Sequence, residues 1–203
     1  WRGNQQFRTE LSAVQLDNDQ GHDLARWSGI FEVAEDFDLP LGVANYEANV
    51  TGNYYSIHPK PDSSATTLGD ISFLTPAASL GWRLPIAVVG ANRSAIFEPQ
   101  ARLAFVGGKD RTSIIPNRDA SDYRIDEANL FLLNRYQGKD YILPGTRADI
   151  GVSATTKDNF FGDVSSFLGV SRRLSGKTSA GLNTDQGDKY SDYVASLTVN
   201  PAN

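Results

Sequence analysis

Polar and apolar residues alternate along many segments of the chain, as they do in a β-strand with one polar and one apolar face. Between residues 147 and 155 the odd positions are polar or Gly, and the even positions are all Ala, Ile or Val. Other segments with this period, some of them less regular, are residues 7–16, 23–33, 41–51, 71–83, 98–106, 164–173 and 191–200. The pattern predicts an all-β, antiparallel chain of about eight to ten strands.

These segments are long. They run to about 9 to 13 residues, whereas a strand of a soluble protein usually has about 5 to 6. Two architectures fit the alternation: a membrane β-barrel that turns its apolar faces to lipid, or a soluble β-sandwich that buries them between two sheets. The strand length and the aromatic residues near strand ends favour the barrel. These aromatic residues are Trp27, Trp82, Tyr141 and Tyr193.

One connection differs from the short, turn-rich ones. Residues 107–144, called here the long connection, show no clean period, although residues 125–136 are expected to contain a short helix or a packed strand. Connections of this length are usually functional. Carboxylates and arginines are mixed within it, at Asp122, Asp126, Glu127, Asp140, Arg118, Arg124 and Arg135. No histidine accompanies them, so we expect ion pairs that hold the connection inside a wet lumen rather than an acid–base catalytic cluster.

Composition narrows the chemistry. The 203 residues carry a net charge of −5 and contain no Cys, which excludes thiolate metal sites, disulfides and cysteine nucleophiles from this sequence. The acidic balance and the scattered basic residues argue against a nucleic-acid partner. Apolar runs such as residues 86–89 are far shorter than the roughly 20 residues of a membrane-spanning helix.

Candidate catalytic motifs are incomplete. The two histidines, His22 and His58, lie beside turns and cannot supply a multi-histidine metal site. The Ser-Gly-Lys-Thr run at residues 175–178 resembles the end of a phosphate-binding loop, but Ser171 stands where that loop needs Gly. The sequence therefore predicts no catalytic, cofactor-binding or metal-binding residue.

A longer motif begins within the long connection. Residues 126–141 are Asp-Glu-Ala-Asn-Leu-Phe-Leu-Leu-Asn-Arg-Tyr-Gln-Gly-Lys-Asp-Tyr, and Gly-Thr-Arg follows at residues 145–147. This run resembles the C-terminal barrel region of LptD, the lipopolysaccharide-assembly family also called organic solvent tolerance protein or OstA. The residues that match the family motif are Asp126, Asn129, Leu130, Phe131, Asn134, Arg135, Gly138, Asp140 and Arg147. Tyr136 replaces the usual Phe, and Tyr141 replaces the usual Arg or Lys.

Shorter stretches extend the resemblance over residues 80–200. Residues 80–85 are similar to a strand end of the family, residues 98–101 to a strand start, and residues 115–117 to the run before the acidic residue of the motif. Residues 191–194 are similar to a strand start of its α-proteobacterial members. The resemblance implies an outer-membrane β-barrel of roughly 26 strands, preceded by a periplasmic jellyroll domain and plugged by the lipoprotein LptE. Such a barrel receives lipopolysaccharide from periplasmic bridge proteins and opens sideways to release it into the outer leaflet.

The resemblance therefore implies a translocon in the Gram-negative outer membrane, with no enzymatic activity and no cofactor. Residues 1–203 are too few for the whole family barrel, so we expect a section of the barrel wall without the jellyroll domain and the terminal gate strands. Two alternatives are a self-contained outer-membrane barrel of about eight strands, acting as an adhesin or structural protein, and a soluble β-sandwich that binds carbohydrate. In the first reading, Leu130 and Phe131 pin the long connection against the inner wall or the plug.

Overall fold

The computed structural model describes residues 4–17, 22–59, 69–111, 114–115, 125–135, 138–140, 142, 144–158, 160, 162–176 and 193–202. Nine β-strands form within these ranges. They are β1 (Asn4–Leu16), β2 (His22–Leu39), β3 (Gly42–Pro59), β4 (Gly69–Arg83), β5 (Ile86–Val89), β6 (Arg93–Val106), β7 (Gly145–Asp158), β8 (Gly162–Ser175) and β9 (Val194–Asn200). None of the described residues belongs to a helix long and apolar enough to cross a membrane.

All nine strands belong to one antiparallel sheet. Eight of them follow the order β1-β2-β3-β4-β6-β7-β8-β9, and β5 lies off this path and pairs with β6. Apart from β5, each strand therefore pairs with the strands next to it in this chain order. The predicted all-β, antiparallel fold is confirmed. Among the described residues the sheet is open, because β1 and β9 each pair on one side only.

Each alternating segment overlaps a strand among the described residues. β2 and β3, with 18 residues each, are longer than the clean alternation suggests, whereas β9 has only seven. The short β5 has no counterpart in the period-two analysis. It continues β4 after a break at Leu84 and Pro85, and it pairs with β6 beyond the point where β4 stops. The ladder is maintained across the break, since Leu84 N–H donates to the carbonyl of Pro99 at 3.1 Å.

The expected helix or strand within residues 125–136 is wrong for the part that the structure describes. Residues 125–135 form turns and irregular backbone. One turn closes where Leu130 N–H donates to the carbonyl of Asp126 at 3.0 Å. The turn does not continue as a helix, because the carbonyls of residues 130–133 bind arginine side chains instead of backbone N–H groups farther along the chain.

The two faces of the sheet have opposite character. Large apolar side chains on one face are exposed, and we call it the apolar face: Phe7, Leu11, Trp27, Phe31, Val50, Tyr54, Leu74, Leu80, Leu103, Phe105, Ile150, Leu168, Leu197 and Val199. The other face, called the polar face, contains buried polar side chains: Arg26, Ser28, Asn53, Thr75, Ser79, Asp149 and Ser171. In a soluble protein an antiparallel sheet usually buries its apolar face in the core and exposes its polar face to water. The described strands also form one sheet, so this part of the chain is not a β-sandwich.

The buried apolar core lies on the polar face, beneath the long connection, and consists of three small clusters. Each cluster contains one residue of the connection. Ile115 packs with Tyr55, Ile57 and Leu24; Leu133 packs with Ala77, Ala104 and Val106; and Leu130 packs with Phe167 and Val194. Complete burial of one such side chain contributes about 1.5 to 3 kcal/mol. The long connection is therefore part of the core.

Candidate functional site

The candidate site is the layer of contacts between the long connection and the polar face. It begins at a self-capped turn, in which Asp126 N–H donates to Asn129 Oδ1 at 2.9 Å and Asn129 N–H donates to Asp126 Oδ1 at 3.0 Å. Short polar side chains favour such turns because they replace backbone hydrogen-bond partners. The turn presents Leu130 and Phe131, the two apolar residues of the motif, to the sheet.

Leu130 and Phe131 pack against β8. Leu130 is fully buried, and the ring of Phe131 meets Phe167 edge to face, with 6.2 Å between the ring centroids. Gly169 makes room for this contact, since a Cβ there would lie 2.4 Å from Leu130 Cδ2. Leu130 and Phe131 therefore attach this part of the connection to the polar face of the sheet.

A buried ion pair holds the middle of the connection. Arg135 Nη2 donates to Asp149 Oδ1 on β7, and both side chains are almost completely buried. Asp149 also accepts from Ser171 Oγ at 2.5 Å and from Arg147 Nε at 3.2 Å. A buried carboxylate of this kind is stable only with several donors, and Asp149 has three, on the connection, β7 and β8. Arg135 Nη2 also donates to the carbonyl of Leu130 at 2.5 Å.

Two arginines of the sheet bind backbone carbonyls of the same segment. Arg147 Nη2 donates to the carbonyls of Leu132 and, at 3.1 Å, of Leu133. Arg102 on β6 donates to the carbonyl of Phe131, to Ser79 Oγ at 2.5 Å and to Glu47. These bonds satisfy carbonyls that no regular secondary structure would satisfy.

The C-terminal part of the connection binds the opposite half of the sheet. Asp140 Oδ1 accepts from Arg26 Nη1 at 2.6 Å and from the hydroxyl of Tyr55 at 2.9 Å, and all three residues are buried. Next to it, Lys139 Nζ donates to Glu10 Oε1 at 2.5 Å and to Ser12 Oγ at 2.7 Å. Gly138 has a φ of 101°, a value that L side chains rarely adopt, and it turns the chain toward these partners. The long connection thus spans from β8 to β1.

A model of the LptD family, described as LPS transport system D, matches residues 1–203. The chain belongs to the LptD family. No curated protein matches the sequence. The match covers more than residues 80–200, where the resemblance is most evident, and it includes β1 to β3. Members of the LptD family function in lipopolysaccharide transport and assembly at the outer membrane of Gram-negative bacteria, so the chain has a role in that process.

The LptD-family motif residues all belong to the layer between the long connection and the polar face, but they are spread along it. Asp126 and Asn129 form the turn, Leu130 and Phe131 pack on β8, Arg135 and Arg147 meet at Asp149, and Gly138 and Asp140 lie over β2 and β3. Asn134 is exposed and lines a cavity of about 420 Å³ between the connection and the sheet. Charged residues of both signs surround this cavity, among them Arg8, Glu32, Glu47 and Arg173.

Two ion pairs of the long connection are formed with the sheet: Asp140 pairs with Arg26, and Arg135 pairs with Asp149. Glu127 accepts from Ser196 Oγ on β9. Arg118, Asp122 and Arg124, together with Tyr136 and Tyr141, lie outside the described residues.

Sequence analysis missed the partners on the sheet: Arg26, Tyr55, Arg102 and Asp149. Three of them are charged residues on the polar side of an alternating segment, where a buried charge needs a partner. That feature could have identified them. Within the described residues no group of His, Asp or Glu side chains could hold a metal ion.

Proposed function

We propose that this chain forms part of the wall of an outer-membrane β-barrel that inserts lipopolysaccharide into the outer leaflet. The observation that carries the proposal is the inversion of the sheet, with an exposed apolar face and a polar face covered by the long connection. Water would make such a surface costly, because it exposes a continuous apolar patch. A bilayer on one side and a wet lumen on the other accommodate both faces.

Aromatic residues on the apolar face support a membrane boundary at two levels. On β3, Tyr46 and Tyr54 lie eight positions apart and flank Ala48, Val50 and Gly52. They are therefore about 26 Å apart along the strand, or about 20 Å along the membrane normal for a strand tilted by about 40°, which approaches the apolar band of about 25 Å in outer-membrane barrels. At the level of Tyr46 the apolar face carries polar groups, since Tyr46 OH donates to Glu35 Oε2 at 2.9 Å.

The neighbouring strands continue the two girdles. Trp27 on β2 pairs with Tyr54, and Trp82 on β4 lies at the end near Tyr46, where its indole N–H donates to the carbonyl of Leu41 at 2.7 Å. Tryptophan and tyrosine concentrate at membrane interfaces because one end of the side chain is apolar and the other is polar.

The lengths of the connections give the orientation. Residues 40–41, 90–92 and 159–161 form short connections at the Trp82 end, whereas residues 107–144 and 176–193 join strands at the opposite end. Outer-membrane barrels have short periplasmic turns and long extracellular loops. We therefore place the long connection at the extracellular end, folded inward over the lumen.

In this proposal the motif residues keep the long connection in the lumen. Asn129, Asn134, Arg135 and Asp140 would be costly in lipid, where a charge near the midplane costs roughly 2 to 4 kcal/mol. On the polar face, Arg135 and Asp140 have partners with opposite charge. The connection would thereby limit leakage through the barrel while lipopolysaccharide is inserted.

The complete translocon would need further strands. The outer edges of β1 and β9 have no partner strand among the described residues. We propose that residues 1–203 are a wall section of a larger barrel, which works with a periplasmic jellyroll domain, an LptE-like plug lipoprotein and periplasmic bridge proteins. Lipopolysaccharide is the substrate, and no catalytic step is assigned.

Native outer membranes probed with an antibody against this segment provide the first test. A wall section predicts a band several times heavier than 22.1 kDa. Depletion of that protein should also lower the amount of lipopolysaccharide at the cell surface. A band at 22.1 kDa with heat-modifiable mobility would instead show a self-contained small barrel and would overturn the proposal.

A further inference from the structure

One carboxylate lies on the apolar face of β1 to β4 at the Trp82 end of the sheet. Glu35 pairs directly with Gln5 on β1 and with Tyr46 on β3, and all three side chains point to the apolar face. The described outward positions of β1 to β4 contain no Lys or Arg. The other acidic or basic residues on this face of the four strands lie at the opposite end: Asp23, His58 and Asp70. Glu35 therefore has no cationic side chain beside it on this face of β1 to β4.

Hydrogen bonds join these three side chains, which we call the Glu35 cluster. Gln5 Nε2 donates to Tyr46 OH at 3.0 Å, and Tyr46 OH donates to Glu35 Oε2 at 2.9 Å. The tyrosine hydroxyl thus holds the amide and the carboxylate side by side. Glu35 Oε1 and Gln5 Oε1 accept no hydrogen bond from the part of the chain that the structure describes. The cluster therefore presents two acceptor oxygens and one negative charge to its surroundings.

A second pair of charges on the same face shows the contrast. On β6 and β7, Arg93 and Asp158 pair directly at the same end of the sheet, and their charged atoms are 3.9 Å apart. Glu35 is half-buried and has no such partner among the described residues. Tyr46 marks the level at which lipid headgroups begin in the proposed membrane. A cation supplied by a lipid headgroup would compensate the carboxylate at that level.

We propose that the Glu35 cluster binds the ammonium headgroup of phosphatidylethanolamine in the periplasmic leaflet. The inference rests on the proposed function, because it requires the apolar face to lie in lipid with the Trp82 end toward the periplasm. Lipopolysaccharide fills the outer leaflet of such a membrane, and phospholipid forms the periplasmic leaflet. The proposed orientation therefore brings phospholipid headgroups to the level of Glu35 and Tyr46.

The chemistry of the cluster selects among phospholipid headgroups. A primary ammonium has three N–H donors and a positive charge, which suit the acceptor oxygens of Glu35 and Gln5. Phosphatidylglycerol has no cation in its headgroup, and the carboxylate would repel its phosphate. The next row of directly paired residues toward the membrane centre is apolar: Phe7, Val33, Ala48 and Ala78. The acyl chains of a lipid bound at the cluster would therefore meet apolar side chains there.

The test compares retained lipids by native mass spectrometry of the full-length protein, extracted from vesicles of equal parts phosphatidylethanolamine and phosphatidylglycerol. We expect a preference for phosphatidylethanolamine that falls about tenfold in Glu35→Gln, a loss of about 1.4 kcal/mol of binding free energy. Asp36→Asn is the matched control, because it removes the same charge from the next residue of β2, which faces the polar side. This control should keep the preference of the unsubstituted protein. An unchanged preference in Glu35→Gln, an equal fall in Asp36→Asn, or a preference of the unsubstituted protein for phosphatidylglycerol would overturn the proposal.

Quenching of tryptophan fluorescence by brominated phospholipid separates this inference from the proposed function. The quenched fluorescence that is lost in Trp27→Phe and in Trp82→Phe measures whether each girdle touches lipid. Quenching at both residues with a lipid preference that does not depend on Glu35 rejects the headgroup site alone. Absence of quenching at both residues rejects the membrane placement, and the proposed function with it.

Discussion

Asp149 illustrates, at the scale of a residue, how the polar face tolerates charge. Its side chain is fully buried, yet it accepts hydrogen bonds from Arg135, Arg147 and Ser171. Removal of one partner from a buried pair costs more than the pair contributes to stability, because the remaining charge stays without compensation. The pair therefore constrains the position of the long connection strongly.

The first prediction concerns this pair. Arg135→Met should lower the free energy of unfolding by about 3 to 5 kcal/mol, since Asp149 remains buried with fewer donors. Urea unfolding of the protein in detergent micelles, followed by heat-modifiable gel mobility, measures the loss. Arg93→Met is the control, because Arg93 is largely exposed and lies 3.9 Å from Asp158, so its loss should cost less than about 1 kcal/mol. Equal effects of the two substitutions would contradict the assignment.

Individual side chains of the site were only partly predictable from the sequence. The motif identifies Arg135 and Asp140 as residues that avoid lipid, but their partners Asp149 and Arg26 lie 14 and 114 positions away. Such contacts depend on strand register and on where the connection folds, which a local period cannot give. The sequence therefore predicts which side chains need partners, and the structure supplies the partners.

The long connection is the element that determines the core. Three of its apolar residues, Ile115, Leu130 and Leu133, are buried, and each completes one cluster on the polar face. The strands alone leave these clusters open, since the sheet turns most of its large apolar side chains to the other face. In the proposed barrel, packing of the connection on the sheet and coverage of the lumen would thus be the same event.

The second prediction tests this coverage. Each buried Leu→Ala change should lower the stability of the packed connection by about 2 to 5 kcal/mol. The Leu130→Ala/Leu133→Ala variant should therefore release the connection and make the outer membrane permeable to large antibiotics. Leu132→Ala is the matched control, since Leu132 lies between the two but is half exposed. Deletion of residues 125–141 should produce a stronger leak. Normal permeability of the double variant at normal protein levels would show that the connection does not cover the lumen.

Strands were predictable and the break between two of them was not. Residues 71–83 and 98–106 alternate because one face of each strand is apolar and the other is polar. The residue types along the strand show this without any knowledge of the fold. The β4–β5 break occurs at Leu84 and Pro85, and β5 has exposed apolar residues on both faces, so it shows no alternation. A short strand with one environment on both sides has no period to detect.

At the scale of the whole molecule, the sheet has two distinct ends. Aromatic residues mark both, but long connections occur only at the end near Trp27 and Tyr54. The orientation in the membrane therefore follows from connection length and not from the sheet itself.

The third prediction tests that orientation by cysteine labelling, which the lack of native Cys in these 203 residues makes simple. An impermeant maleimide added to intact cells should label Asp17→Cys, at the long-connection end, and should leave Ala91→Cys unlabelled until the outer membrane is opened. Both residues are exposed, so accessibility alone does not separate them. The unsubstituted protein gives the background, and labelling of Ala91→Cys alone would reverse the orientation.

The reach of the long connection from β1 to β8 also determines the order of assembly. Its anchors at Arg26 and Asp149 lie on strands that come before and after it in the chain. Neither half of the sheet can fix it alone, and the contact between Arg26 and Asp140 closes a loop of more than a hundred residues, which is slow to form. The connection therefore packs on the sheet last. Once it is packed, the strands before and after it in the chain are already in place.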